Sequence, residues 1–276
     1  MNLKVAYQGV PGAYSHIAAQ NVYPDSEYVA CETFAEAMNR VQSGEVDFAV
    51  IPVENSTAGR VSDVHFLLPK TGLSIVGEYF LPIHHQLLAL KGTKLPDIKT
   101  AMSHPQALAQ SAEFLAVHGI VPEARIDTAK SCEFVLEYND KSKAAIASVL
   151  AGKIYGLEVV AENIETMKNN TTRFLLMSRE AMVPEYDGEA FMTSFIFKAR
   201  NIPAALYKAL GGFATNGINL TKIESYLEKG SFVSAQFYVE VEVHPAQKSF
   251  QNAMEELKFF AENIHMLGTY YAAKSR

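Results

Sequence analysis

Val233, Ala235, Phe237, Val239, Val241 and Val243 occupy every second position of one run, and Ser234, Gln236, Tyr238, Glu240 and Glu242 fill the places between. Side chains of a strand point alternately to its two faces, so the run predicts a strand with one face in a core and the other in solvent. Its neighbours complete a unit. Phe191, Thr193, Phe195 and Phe197 alternate as a strand, Leu206, Leu210 and Phe213 keep helical spacing up to Asn216-Gly217, and Ile218 to Leu227 is extended. After the run, Phe250, Met254, Leu257, Ala261 and Ile264 mark a second amphipathic helix, and His265 to Tyr271 can close the sheet. The order βαββαβ is the split βαβ, ferredoxin-like arrangement.

Upstream, strand-like and helical segments alternate, which reads as α/β. Thr33 and Glu36 have capping-box spacing ahead of a helix that Gly44 stops. A helix is expected after Asn55 and another from Pro105 to His118, with two extended segments broken at Pro82 between them. Arg173 to Met177 returns as a strand. Residues 1–180 therefore read as two α/β lobes, the second inserted at 79–163, and the turn-rich Val183 to Gly188 marks the boundary to a C-terminal unit at 190–276.

The formal charge is −6, with Lys and Arg scattered, so no basic stripe awaits a phosphate backbone and nucleic acid is not an expected partner. Nor does the overall field help bind an anion, which must rely on a few local donors. Membrane spanning is not expected, because no apolar run approaches roughly 18 residues. The N-terminus goes straight into a strand-like pattern without a signal-peptide design, and Cys31 and Cys132 sit singly in apolar segments. Both point to a cytoplasmic location.

The turn Gly9-Val10-Pro11-Gly12-Ala13-Tyr14-Ser15 leaves a strand and opens a helix, so N–H groups near Ser15 can face an anion; equally, Ser15 can be an ordinary helix cap. Glu54 and Asn55 follow a buried-looking strand, and Ser103 holds the equivalent place in the second lobe, at the strand ends where open α/β sheets bind ligands. Without other information these residues equally suit helix caps and a solvated strand end. Gln110 lies two helical turns beyond Ser103. Asn169-Asn170-Thr171-Thr172-Arg173-Phe174 concentrates amides, hydroxyls and a cation ahead of an apolar strand. His84 and His85 point to opposite faces of a strand, and no His, Cys and carboxylate set has metal-ligand spacing, so no metal is expected.

Several of these segments, in order, resemble the prephenate dehydratase family: the Gly-x-x-Gly-x-Tyr-Ser turn, Glu54-Asn55-Ser56 with Gly59-Arg60-Val61, Ser103-His104-Pro105-Gln106, Ala145-Ile146-Ala147, Tyr155-Gly156-Leu157 and Thr172-Arg173-Phe174. Residues 191–271 resemble an ACT domain through Gly217 to Ser225. The resemblance implies two lobes like those of type 2 periplasmic binding proteins, followed by an amino-acid-sensing unit, in a homodimer or homotetramer.

It further implies loss of water and carbon dioxide from prephenate, giving phenylpyruvate, with no cofactor. Thr172 is then the catalytic hydroxyl, with Glu54 standing behind it as a proton source if its pKa is raised. Asn55, Ser56, Ser103, Gln110 and Ser15 become substrate donors. Arg173 binds the pyruvyl carboxylate or is structural, and Phe174 supplies apolar surface near the departing carbon dioxide. Effector binding is implied at Ala205, Leu206, Asn216, Gly217, Ile218, Asn219, Leu220, Glu224 and Ser225, with L-phenylalanine as candidate effector. Here the chain departs from the family: Glu-Ser-Arg-Pro reads Glu224-Ser225-Tyr226-Leu227, and Gly-Ala-Leu reads Ala204-Ala205-Leu206. An arogenate dehydratase and a non-catalytic sensor are the competing readings.

Overall fold

The computed structural model describes residues 2–227 and 235–276. Compactness divides the chain into two units, one of residues up to Val61 with Tyr79–Phe174, the other of Ser62–Glu78 with Leu175–Arg276.

The chain opens with β1 (Lys4–Gln8), α1 (Tyr14–Val22), β2 (Glu27–Cys31), α2 (Phe34–Gln42), β3 (Phe48–Asn55) and β4 (Gly59–Arg60). β1 pairs in parallel with β2 and β3, and helical crossovers supply those connections. Val5, Ala6, Ala49, Val50 and Ile51 are all fully buried, as the continuous apolar runs of a doubly covered sheet require. Half of the expected capping box forms: Glu36 N donates to Thr33 Oγ1 at 3.0 Å, while the Glu36 carboxylate takes the N–H of Glu32, one residue before the cap, at 2.8 Å. No helix starts directly after Asn55. Its side-chain oxygen captures the N–H groups of Thr57 and Ala58 in a turn, and Gly59 at φ +80° folds the chain back as β4. The next helix, α3 (Ser62–Leu67), precedes β5 (Ser74–Pro82).

A second sheet follows, of β6 (Gln86–Ala89), β7 (Thr100–Ser103), β8 (Val121–Ala124), β9 (Lys143–Ala147) and β10 (Glu158–Ala161), in the order β10-β6-β9-β7-β8. The helix expected over 105–118 is two, α4 (Pro105–Gln110) and α5 (Ala112–Val117). They part at Ser111, which leaves helical geometry at φ −109°, a departure to which serine is prone. α6 (Ser131–Tyr138) and α7 (Val149–Tyr155) complete this part. β11 (Thr171–Ser178) then returns to the first sheet, whose order is β2-β1-β3-β11-β5 with β4 on β3.

In the other unit the elements are β12 (Phe191–Ala199), α8 (Ala205–Thr215), β13 (Leu220–Leu227), β14 (Ala235–Val241), α9 (Lys248–Phe260) and β15 (Ala261–Tyr271). This is the expected βαββαβ order, in an antiparallel sheet β13-β14-β12-β15. Phe195, Phe197, Phe213, Phe237, Val239, Val241 and Leu257 form its core. Ala261 and Ile264, expected on the second helix, belong to β15, because Arg200 closes the helix end by donating to the carbonyls of Phe260 and Ala261.

The solvated face expected for the alternating run is solvated only in part: Glu242 is exposed, but Tyr238 and Glu240 are both buried. The His65 ring of α3 stands edge-on to Tyr238 at 5.5 Å, Tyr238 donates to Glu240, and Arg276 reaches the Glu240 carboxylate at 3.0 Å. Residues 62–78 thus cover a face that local pattern reads as wet. Val233 and Ser234 lie outside the described residues. Gly268 of β15 permits the cover, since a Cβ there would stand 1.9 Å from the Ile75 carbonyl oxygen.

Candidate active site

A cleft of about 410 Å³ opens in the first unit, with Tyr14, Ser15, Asn55, His85, Gln106, Gln110, Thr172 and Phe174 on its walls. A second, more apolar cavity of about 580 Å³ adjoins it and shares His104, Ile126 and Asp127. The turn before α1 brings Tyr14 and Ser15 here. Gly12, at φ +90°, lies where a Cβ would be 2.6 Å from the Ala151 backbone, and its carbonyl accepts the Ser148 hydroxyl at 2.6 Å. Ser15 is not the cap of α1: the cap position is Ala13, whose side chain makes no capping bond to the first N–H groups of this nine-residue helix.

Thr172 is reached through amides. Asn55 Oδ1 accepts from the N–H groups of Thr57 at 3.0 Å and Ala58 at 2.9 Å, which fixes the amide's orientation because backbone N–H groups can only donate. Asn55 Nδ2 therefore donates to Thr172 Oγ1 at 3.0 Å and to Asn170 Oδ1 at 2.8 Å. Asn170 Nδ2 donates to Gln110 Oε1 at 3.1 Å, and Gln110 Nε2 to Thr57 Oγ1 at 2.5 Å. Asn55, Gln110, Thr172 and Phe174, predicted from sequence as site residues, are thus brought together, with Ser15 on the same cleft.

Other predicted residues lie elsewhere. Arg173 is buried, 2% exposed, and its guanidinium meets Glu54 Oε1 at 3.0 Å and faces the Phe80 ring. Strand alternation turns it away from the face that carries Thr172 and Phe174, which accounts for a structural placement and removes it from the cleft walls. The Glu54 carboxylate engaged there is not on the cleft walls either. Ser103 is fully buried and donates to the Ile146 carbonyl at 2.7 Å, a bond between neighbouring strands β7 and β9 that takes its hydroxyl out of the cleft. Ser56 clasps β3 to β11, donating to the Asn169 carbonyl and accepting from Thr171 N, both at 2.9 Å.

His85 and Thr57 were not foreseen. His85 is 2% exposed, with Nε2 at 2.8 Å from Gln110 Oε1 and Nδ1 at 2.7 Å from the Tyr14 hydroxyl. Burial holds its imidazole below the ordinary range, despite the bond to Gln110. Tyr14 is raised well above 10.0 by burial and by nearby Glu165, so it remains a phenol. Glu165 takes His85 N at 2.8 Å and the His84 ring at 2.9 Å. Burial raises the Glu165 carboxyl, yet these bonds outweigh it and hold the group low. The sequence signal was available in the buried partner of the His84-His85 pair. The thiols do not compete as nucleophiles: burial lifts Cys31 to about 11 and Cys132 to about 12.

The predicted effector residues do not converge within one chain. Ala205 and Leu206 begin α8, whereas Asn216 caps its far end, about 15 Å away along a helix of this length. Gly217 follows at φ +66°, Ile218 enters the core, Asn219 donates to Glu242 at 2.7 Å, and Leu220 opens β13, along which Glu224 and Ser225 lie.

A family profile described as prephenate dehydratase matches residues 5–182. The bifunctional N-acyl-homoserine lactone acylase/prephenate dehydratase of Komagataeibacter europaeus is 43% identical over 272 residues, covering 99% of this chain and 97% of that one. Arogenate dehydratase 2 of Petunia hybrida is 43% identical, covering 97% of this chain and 71% of its own. The crystal structure of a prephenate dehydratase from Arthrobacter aurescens in complex with L-Phe superposes with a TM-score of 0.91 at 29% identity, covering 99% of this chain and 92% of that one. With the motif residues gathered around one cleft and these likenesses running through nearly the whole sequence, the chain belongs to the prephenate dehydratase family and is a dehydratase of phenylalanine biosynthesis.

Proposed function

We propose that the substrate is prephenate and that Thr172 donates a hydrogen bond to its departing C4 hydroxyl. The observation that carries this is the Asn55 amide on Thr172 Oγ1, because an oxygen already accepting a bond turns its own hydrogen outward, into the cleft. Breaking the C4–O bond and the bond to the C1 carboxylate sends the carboxylate's electron pair into the ring, releases carbon dioxide, and leaves an aromatic product. The leaving hydroxide becomes water by taking one proton from solvent, Thr172 stabilising it by its hydrogen bond and giving up no proton overall. The site has to stabilise the leaving oxygen and hold the ring flat, and Phe174 offers apolar surface for that.

The pyruvyl carboxylate is assigned to the N–H groups at the start of α1 and the Ser15 hydroxyl, in place of Arg173. Loss of charge at C1 disfavours a strong ion pair in the ground state, so a cleft wall without Arg173 suits the reaction.

The C-terminal βαββαβ unit at 190–276 is read as an ACT domain that senses L-phenylalanine. The separation of Ala205-Leu206 from the Asn216–Leu220 turn supports a site completed by a second copy, hence a homodimer or homotetramer. A cytoplasmic location remains the expectation, and no helix among the described residues is long and apolar enough to cross a membrane.

Purified protein given prephenate or arogenate, with Thr172→Ala alongside, tests the reading. Phenylpyruvate from prephenate, lost in the variant, supports it; phenylalanine from arogenate alone moves the substrate to the amino-acid analogue, as the name of the Petunia relative suggests. No product from either would overturn it.

A further inference from the structure

We propose that His85 and Tyr14 are positioning residues of the dehydration, which orient the amides around Thr172 through a one-way chain of hydrogen bonds and so aim its hydroxyl hydrogen into the cleft. The proposal rests on the reading of Thr172 as donor to the leaving oxygen.

The direction of the chain follows from its anchored end. With Asn55 Oδ1 held by two backbone N–H groups, Asn55 Nδ2 must donate to Thr172 and Asn170. Asn170 Oδ1 is thereby filled as an acceptor, so its Nδ2 donates to Gln110 Oε1. Gln110 Nε2 then faces Thr57 Oγ1, whose own hydrogen goes to Asn55 Oδ1 at 2.7 Å. No amide in this set can flip alone without placing oxygen against oxygen or N–H against N–H.

The consequence falls on His85. Facing Gln110 Oε1 at 2.8 Å, its Nε2 must carry hydrogen. In the neutral ring Nδ1 is then bare, and it meets the Tyr14 hydroxyl at 2.7 Å, so the one phenolic hydrogen is shared between Nδ1 and the His84 carbonyl, to which it also donates at 2.9 Å. Tyr14 thus stabilises the tautomer that Gln110 requires, and the tautomer holds Gln110. Burial, which keeps the imidazole neutral, agrees with this assignment. Along Tyr14, His85, Gln110, Thr57, Asn55 and Thr172 each donor points the same way, Asn170 forming a return branch to Gln110, and aligned bonds polarise one another, so the last hydrogen, that of Thr172, becomes a better donor.

Four variants and one spectrum test this. His85→Leu should lower kcat roughly 10- to 100-fold with KM nearly unchanged, since misplacing a catalytic group by about 1 Å costs on that order. His85→Gln, whose amide can still donate to Gln110, should recover most of kcat. Nitrogen NMR of histidine-labelled wild type should show the His85 Nε2–H tautomer with Nδ1 as the bare, hydrogen-bonded nitrogen, and Tyr14→Phe should shift the Nδ1 signal by removing its donor. Full kcat in His85→Leu, a His85→Gln variant as impaired as His85→Leu, or an Nδ1–H tautomer in the wild type would each overturn the proposal. Thr172→Ala separates the layers: if it is inactive while His85→Leu is fully active, positioning fails and the Thr172 reading survives, whereas a fully active Thr172→Ala removes both.

Discussion

Asn55 gives its side-chain amide hydrogen to Thr172 at 3.0 Å, while the oxygen of the same amide is held by the chain that follows it. Asn55→Asp keeps the shape but turns that donor into an acceptor, so the Thr172 hydrogen is drawn to the carboxylate instead of the substrate. We expect kcat to fall by about 10²- to 10³-fold, the scale for losing one aimed donor, with a smaller change in KM. Steady-state kinetics on a variant that melts like the wild type decides it.

Glu54→Gln bears on the other carboxylate. Because Glu54 meets Arg173 and is not on the cleft walls, the variant should keep kcat within a factor of about three, an insignificant change beside general-acid effects of about 10² or more. Arg173→Ala should act on stability, by about 1–3 kcal/mol, discounted from the cost of breaking a fully buried pair because the Glu54 side chain is 30% exposed. Urea unfolding of both variants measures it; a large loss of kcat in Glu54→Gln would return that residue to the chemistry.

Acid should destabilise the fold through His16. Its ring stacks on Tyr7 at 4.7 Å, and Nδ1 accepts from Gly12 N at 3.1 Å, which requires a bare nitrogen. Burial lowers its pKa from 6.5, so as pH falls the unfolded chain takes the proton first. The contribution is complete above about 6.5 and is lost below it; His85, lowered likewise, adds to the trend. His16→Gln should show a shallower loss of the urea midpoint between pH 7.5 and 5.5, and an unchanged slope would show that His16 does not contribute.

Ala204 sits at φ +58°, in the left-handed region, as the residue before α8. Ala204→Gly should stabilise the protein by about 1 kcal/mol, since the Cβ strain exceeds the entropy glycine adds to the unfolded chain. If the effector reading holds, L-phenylalanine should raise the melting temperature of both proteins, and no shift in either would leave the C-terminal unit an assembly module.

What could be read from sequence was local. The Thr33 cap on Glu36 N, the βαββαβ order and the membership of Asn55, Gln110, Thr172 and Phe174 in one site all follow from spacing and motif. What could not be read was set by distant partners. Tyr238 and Glu240 alternate like solvent-facing residues, yet residues from near position 65 and at position 276 cover them. Arg173, embedded in the most suggestive motif, is turned from the cleft by the pleat, and Ser103 spends its hydroxyl on a carbonyl 43 residues away. His84 and His85, expected on a strand, lie between β5 and β6, where the His84 ring is half exposed and that of His85 is buried against the amides.

The same pleat makes β11 intolerant of a change in count. Thr172 and Phe174 meet the cleft and Arg173 meets Glu54 because they fall on opposite parities of one strand. A single residue inserted just before Thr172, with the strand's pairing kept, would exchange the two sets, turning the hydroxyl away from the cleft and bringing a guanidinium into the place of the Phe174 ring. Substitution leaves that frame intact. Length is therefore held more tightly than identity at this strand, and a deletion scan across Asn169 to Phe174 would lose function more abruptly than any exchange of side chains there.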